Sequence, residues 1–303
     1  MKKIVLTFTL LFGLVLILSG QDHFSNTPLD AKFITEDVER FWVAFHEMGK
    51  KDDNPFRAYL ENASLGLKPF VPYLHPDTIY QTVVRRKNDY LISRNILHDL
   101  ETKKKRIRAI YSAMKHWHPE AKFPPIYFAV GIFTSGGTVS ENGLLIGTEM
   151  LENLDNIPGL VAHELIHFQQ HFEGEKNLLH QSVLEGSADF IGELISGEHV
   201  NQVPLEYGNQ NEDKLCREFV SKMNEEVYTD WLYGTSGKDD RPNDLGYWIG
   251  YKITEAYFNK QEDKHQAIQS ILHIQNAYDF MAESGFLQAY VKAATEIPDS
   301  EKH

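Results

Sequence analysis

The sequence predicts an α+β chain that is mainly helical and carries one small sheet. Three observations lead there. Apolar residues of helical period recur through much of the first 120 residues, and a single segment, residues 126–132, has a strong strand composition. Further on, Val161, Leu165, Phe168 and Phe172 form an i, i+4, i+7, i+11 stripe that gives one helix a core-facing side. No internal repeat or low-complexity tract interrupts this pattern.

In chain order, Lys2 and Lys3, the apolar run over residues 4–18 and Ser19-Gly20 read as a secretory signal peptide spanning residues 1–20. The run is short against the ~20 residues of a membrane span. Export to the periplasm or the cell exterior is therefore expected, with no stable membrane insertion after cleavage and a membrane tether if the segment is retained. No Cys follows the run, so a lipid anchor is not expected, and the lone Cys216 excludes an internal disulfide. Losing residues 1–20 removes two Lys and no acid, taking the net charge from −13 to −15. That acidity argues against nucleic acid and anionic membranes as partners.

Residues 21–120 read as an N-terminal helical region. Residues 21–32 look loose, and Thr35 opens a helix to about Met48 with Val38, Phe41, Trp42 and Phe45 on one side. A polar turn over 50–55 follows, and Pro76 opens a helical stretch that runs with interruptions to about Trp117. The basic run at 103–108 spreads around a solvated helix face at this spacing, so it is not a nucleic-acid patch. After Pro124-Pro125, the strand at 126–132 is expected to turn at 135–138 and pair with 143–147.

His163-Glu164-Leu165-Ile166-His167 lies within the apolar stripe. Four residues advance a helix by about 400°, so the two imidazoles stack one turn apart and can share a cation at ~2.0–2.1 Å. Glu164 sits about 100° round the helix, placed to take a proton from a water rather than to act as a ligand. This is the H-E-x-x-H pattern of zinc metalloproteases. The chain holds 14 His, so a pair could arise by accident. The stripe, and the Pro158-Gly159 break where a helix can start, argue for a specified helix instead. His171 continues the row but lies ~12 Å along it, too far to share one ion, and reads as a solvated neighbour.

A catalytic zinc normally has three protein ligands. The third candidate is Glu185, 17 intervening residues after His167, enough for a turn and the opening of a second helix. Gly186, Ser187 and Ala188 let the two helices approach closely. Asp189, one turn beyond Glu185, is placed to accept the second N–H of a ligand His. A competing reading makes Ser182 and Glu185 an S-x-x-E capping box at a helix start.

H-E-x-x-H followed by Glu185 and Asp189 resembles the gluzincin metallopeptidases, the thermolysin-like class. The resemblance implies His163, His167 and Glu185 as zinc ligands, Glu164 as general base and Asp189 as the residue that orients the first His. Residues 162–170, 185–190 and 245–251 together are similar to a bacterial family of predicted zinc-dependent proteases of unknown substrate, over roughly residues 120–290. This implies a zincin-like metallopeptidase core over residues 121–303, with a small sheet and a two-helix zinc site. In zincins an edge strand borders the cleft, and such an edge can hydrogen-bond an extended peptide. Well-characterised gluzincins place the Glu a residue or two later, so Asp189 as third ligand, in the aspzincin manner, stands as an alternative.

Residues 230–240 form a turn-rich connection, and Pro242 leads into a helix where Gly246 and Gly250 make a small face and Tyr247 and Tyr251 a phenolic row. A phenol near a metal can donate to a developing oxyanion, which makes both tyrosines catalytic candidates. The same spacing fits plain close helix packing. His180, His265 and His273 are further candidate donors. These readings converge on a Zn2+-dependent peptidase acting on a peptide or protein substrate. The rival is a non-catalytic zinc-stabilised binding protein of the cell envelope. Glu164 separates the two, because a structural zinc needs no carboxylate there and usually closes its fourth position with Cys or His.

Overall fold

The computed structural model describes residues 24–50, 52–96, 100–151, 155–234 and 241–296. The expected signal segment lies outside them. The described chain is α+β and mainly helical, with one four-stranded sheet. It gathers into two compact units, residues 24–169 with 195–198 and residues 170–194 with 199–296. No helix among the described residues is long and apolar enough to cross a membrane.

The first unit opens with Phe33–Ile34 (β1) and Glu36–Glu47 (α1), on which Val38, Phe41, Trp42 and Phe45 are buried along one side as their period predicts. Phe56–Glu61 (α2), Pro76–Arg85 (α3), Lys87–Ile96 (α4) and Leu100–Trp117 (α5) follow. The basic run on α5 is engaged locally. Lys103 pairs with Asp155, Lys104 with Glu101 and Arg106 with Glu198, while Arg108 donates to the Leu29 carbonyl at 2.8 Å.

The sheet departs from the expected hairpin. Ile126–Ala129 (β2) and Gly143–Gly147 (β4) do pair, but in parallel, with Ile126 opposite Leu144 and Ala129 opposite Gly147. Gly137–Ser140 (β3), whose first two residues were expected in the turn, is a strand antiparallel to β4, and the sheet order is β1-β2-β4-β3. The tight hairpin is therefore β3–β4. An all-apolar strand such as β2 suits the centre of a parallel sheet, covered on both faces, and all four of its residues are buried. The loop that carries the chain from β2 to the edge strand is held from beneath. Tyr59 on α2 donates to the Val130 carbonyl at 2.9 Å, and Tyr90 on α4 to the Gly131 carbonyl at 2.8 Å. Glu149 accepts the Phe133 N–H at 3.2 Å, and burial holds its carboxyl above the usual carboxylate range.

Asn156–Gln169 (α6) packs against α5, β3 and β4. Pro158 and Gly159 fall in its first turn rather than before it, where a missing N–H is tolerated. The helix is buried on most sides, with His163 buried and His167 half-buried.

The second unit is helical, built from Leu178–Ser196 (α7), Gln202–Gln210 (α8), Glu212–Lys222 (α9), Leu245–Lys260 (α10), Lys264–Leu272 (α11), Ala277–Ser284 (α12) and Gln288–Thr295 (α13). α7 is capped by Asn177, whose Oδ1 accepts the His180 N–H at 2.9 Å. Ser182 and Glu185 thus lie inside the helix, and the capping-box reading does not hold. α7 and α10 meet backbone to backbone. A Cβ on Gly186 would lie 2.1 Å from the Tyr251 nitrogen, and one on Gly250 1.7 Å from the Ser182 carbonyl oxygen. The small-residue spacing on α10 therefore serves helix packing.

Gly250→Ala should accordingly destabilise the chain. Overpacking costs ~1–3 kcal/mol, and here the opposing atom is backbone that cannot swing aside. A loss of ~3 kcal/mol corresponds to a Tm fall of roughly 6–12 °C for a unit of this size. A thermal melt within ~1 °C of wild type would show that the two helices do not touch there.

Candidate metal centre

His163 and His167 occupy one face of α6, one turn apart. Their Nε2 atoms are 2.9 Å apart and their rings meet edge to face at 86°. His163 is 6% exposed and Glu164 4%. Glu164 points at the edge strand, since a Cβ on Gly137 would lie 2.4 Å from its Oε1. A side chain at position 137 would push the Glu164 carboxylate aside, which gives this strand residue a reason to be glycine.

Glu185, on α7, is 7% exposed. Its Oε1 accepts from the Tyr233 hydroxyl at 2.7 Å and from the Gln181 side-chain amide at 3.2 Å, and the same amide donates to the Tyr233 oxygen at 2.7 Å. Tyr233 was missing from the sequence reading. It lies in a turn where Asp230, Tyr233 and the nearby Asp244 all take left-handed φ, at 71°, 61° and 66°. Such a conformation costs a non-glycine residue about 1–3 kcal/mol, and here it brings the phenol to the carboxylate. The turn is tied by the Tyr233 N–H to Asp244 Oδ1 at 2.9 Å and anchored by buried Trp231 and Leu232. Tyr233 is 54% exposed, yet desolvation at the phenol and the Glu185 charge push its pKa above the usual tyrosine value. A tyrosine beside glycine in a turn-rich stretch is the only sequence signal it offers.

Tyr247 shares this environment. Burial raises its pKa well above the ordinary value, and the Glu185 charge is the next cause. Tyr251 lies elsewhere, with its ring edge-on to His199 at 5.1 Å and its pKa raised by burial and by a hydrogen bond to Glu193. Asp189 is buried, and the Asn201 side-chain amide donates to its Oδ2 at 2.7 Å. Burial and the charges of Glu185 and Asp189 raise the Asp244 carboxyl. Negative charge is concentrated in a dry place, a setting that favours a cation.

Of the remaining histidines, His171 is not simply solvated. It is half-buried, stacks on His273 at 5.1 Å and 26°, and has its pKa lowered by burial and by that neighbour. His180 is buried edge-on to Phe172, with its pKa lowered by burial, and His265 is exposed.

One ligand atom from each of His163, His167 and Glu185 lies within 4.8 Å of the others. The donor set fits zinc. Two nitrogens and an oxygen suit this borderline ion, and tetrahedral bonds of ~2.0–2.1 Å put neighbouring ligand atoms ~3.3 Å apart, close to the observed 2.9 Å between the imidazoles.

Residues 132–276 match the family described as Predicted Zn-dependent protease (DUF2268). No curated protein and no solved structure matches the chain. The DUF2268 match contains β3, the H-E-x-x-H helix, Glu185, Asp189, Tyr233 and Tyr247. The family's description names zinc and a protease, and the His-His-Glu cluster is a group that could hold such an ion.

Asp189, buried one turn beyond Glu185, is expected to support a ligand imidazole. Asp189→Ala should weaken zinc affinity by ~10–100-fold, as losses of such supporting carboxylates do, while the circular dichroism spectrum stays that of wild type. Unchanged affinity in a chelator competition would remove Asp189 from the metal centre.

Proposed function

We propose that the chain is a zinc peptidase in which His163, His167 and Glu185 hold the ion and Glu164 is the general base. The observation that carries this reading is the place of Glu164. It is a buried carboxylate, next in sequence to one ligand candidate, directed at an edge strand. A site built only to stabilise the fold has no use for it.

A bound zinc ion would supply Lewis acidity toward a carbonyl and bring the pKa of a water down to ~7. The chain's residues supply the rest. β3 ends the sheet at the Glu164 side, and its outer edge can hydrogen-bond an extended peptide, holding the scissile bond beside the carboxylate. Glu164 accepts the proton of the attacking water on a carboxylate oxygen and returns it to the leaving amine nitrogen. Tyr247, kept protonated at neutral pH by burial and by the Glu185 charge, would be the phenol that donates to the developing oxyanion. Tyr251 is engaged with His199 and Glu193, and we assign it to the packing of α10.

Gln is nearly isosteric with Glu and keeps a polar head, so Glu164→Gln should retain zinc occupancy and Tm. Turnover of a broad peptide mixture should fall by ~10²–10⁴-fold, the contribution of a general base. Zinc content and turnover must be measured on the same preparations. Equal rates for zinc-loaded wild type and Glu164→Gln would sink the catalytic reading.

A further inference from the structure

We propose that Asn201 is a positioning residue for the metal centre, holding the Asp189 carboxylate in the orientation in which it supports a ligand imidazole. This rests on the reading of Asp189 as that support and deepens it.

Asn201 stands at the N-cap of α8, where its backbone carbonyl accepts the Leu205 N–H at 3.1 Å and opens the helix. Asparagine is among the best residues for that place, because its side-chain oxygen can take a free N–H of the first turn. Here the side chain makes no capping bond. Its amide is turned the other way, back to α7, and donates to Asp189 Oδ2 at 2.7 Å. That is the length of a hydrogen bond strengthened by the acceptor's charge. A local contribution to α8 is forgone, and the amide goes instead to a carboxylate that is 2% exposed and would be costly to bury without partners.

The chain between the two helices is arranged for this contact. Gly197, the residue after α7, takes a left-handed φ of 73°, a common way for a helix to end and the chain to turn aside. His199 and Asn201, two residues apart, both reach α7, while Val200 between them is exposed. His199 Nδ1 lies 2.8 Å from Glu193 Oε2, with its side chain buried. Asp189 and Glu193 are one turn apart on α7. The segment is therefore fixed at two points, and the His199 contact seats its backbone when the Asn201 amide is replaced. Asn201 acts on the ion through Asp189.

The test measures zinc affinity of the full chain by chelator competition, with metal-free melts alongside. The set is wild type, Asn201→Ser, Asn201→Ala, Asp189→Ala and the double variant Asp189→Ala with Asn201→Ser. Serine can cap α8 and alanine cannot, and neither carries an amide. Both Asn201 variants should lose ~10-fold in zinc affinity, the low end of what an outer partner of a ligand contributes, and Asn201→Ser should melt as wild type does. In the Asp189→Ala background, Asn201→Ser should change the affinity no further, because the group through which it acts is gone. Wild-type affinity in both Asn201 variants, while Asp189→Ala binds poorly, overturns the inference and spares the reading of Asp189. The same loss from Asn201→Ser in both backgrounds also overturns it. Wild-type affinity in Asp189→Ala overturns the reading of Asp189 and this inference together.

Discussion

Burying ionisable groups without partners is the constraint on which this structure turns. His163, Glu164, Glu185 and Asp189 all lie on the interior of helices. A carboxylate taken out of water costs several kcal/mol unless hydrogen bonds or an opposite charge meet it. Much of the surrounding architecture supplies those partners. Tyr233 and Gln181 meet Glu185, and Asn201 meets Asp189. A cation held by two imidazoles and a carboxylate would meet the rest. Without it, the concentration of acids around Glu185 would be a liability in a chain that is already acidic.

Close approach of backbone is the second requirement, and glycine provides it at both faces of the problem. Gly186 and Gly250 let α7 and α10 touch, which sets Glu185 next to Tyr247 and the turn that carries Tyr233. Gly137 lets the edge strand pass the Glu164 carboxylate. The left-handed turn at Tyr233 adds local strain, and buried Trp231 and Leu232 hold it there. Strain and close contact collect around the polar cluster, as expected where geometry is kept for chemistry rather than for stability.

The sequence announced the centre more clearly than its support. His163, Glu164 and His167 follow from helical period alone. Glu185 stood out by its spacing from His167, while the small residues after it, read as a seat for the H-E-x-x-H helix, bring α7 against α10. The sheet was misread because composition gives strand content and not direction. Residues 126–129 and 143–147 were recognised as partners, yet their parallel pairing depends on the loop that Tyr59, Tyr90 and Glu149 hold. Gly137 looked like a turn because its reason for being glycine is a side chain 27 residues away. Tyr233 reaches Glu185 across 48 residues through a positive φ that no local pattern encodes. The DUF2268 match, over 132–276, takes in the polar cluster and the edge strand but leaves out β1 and β2, the framework on which that edge is built.

The central claim is that two imidazoles and one carboxylate of this chain bind a single zinc ion. X-ray absorption at the zinc edge of the purified, zinc-loaded chain tests it most directly. The spectrum should show two imidazole nitrogens with oxygen donors at ~2.0–2.2 Å, and no sulfur. A spectrum with sulfur at ~2.3 Å, or with fewer than two imidazoles, would contradict it.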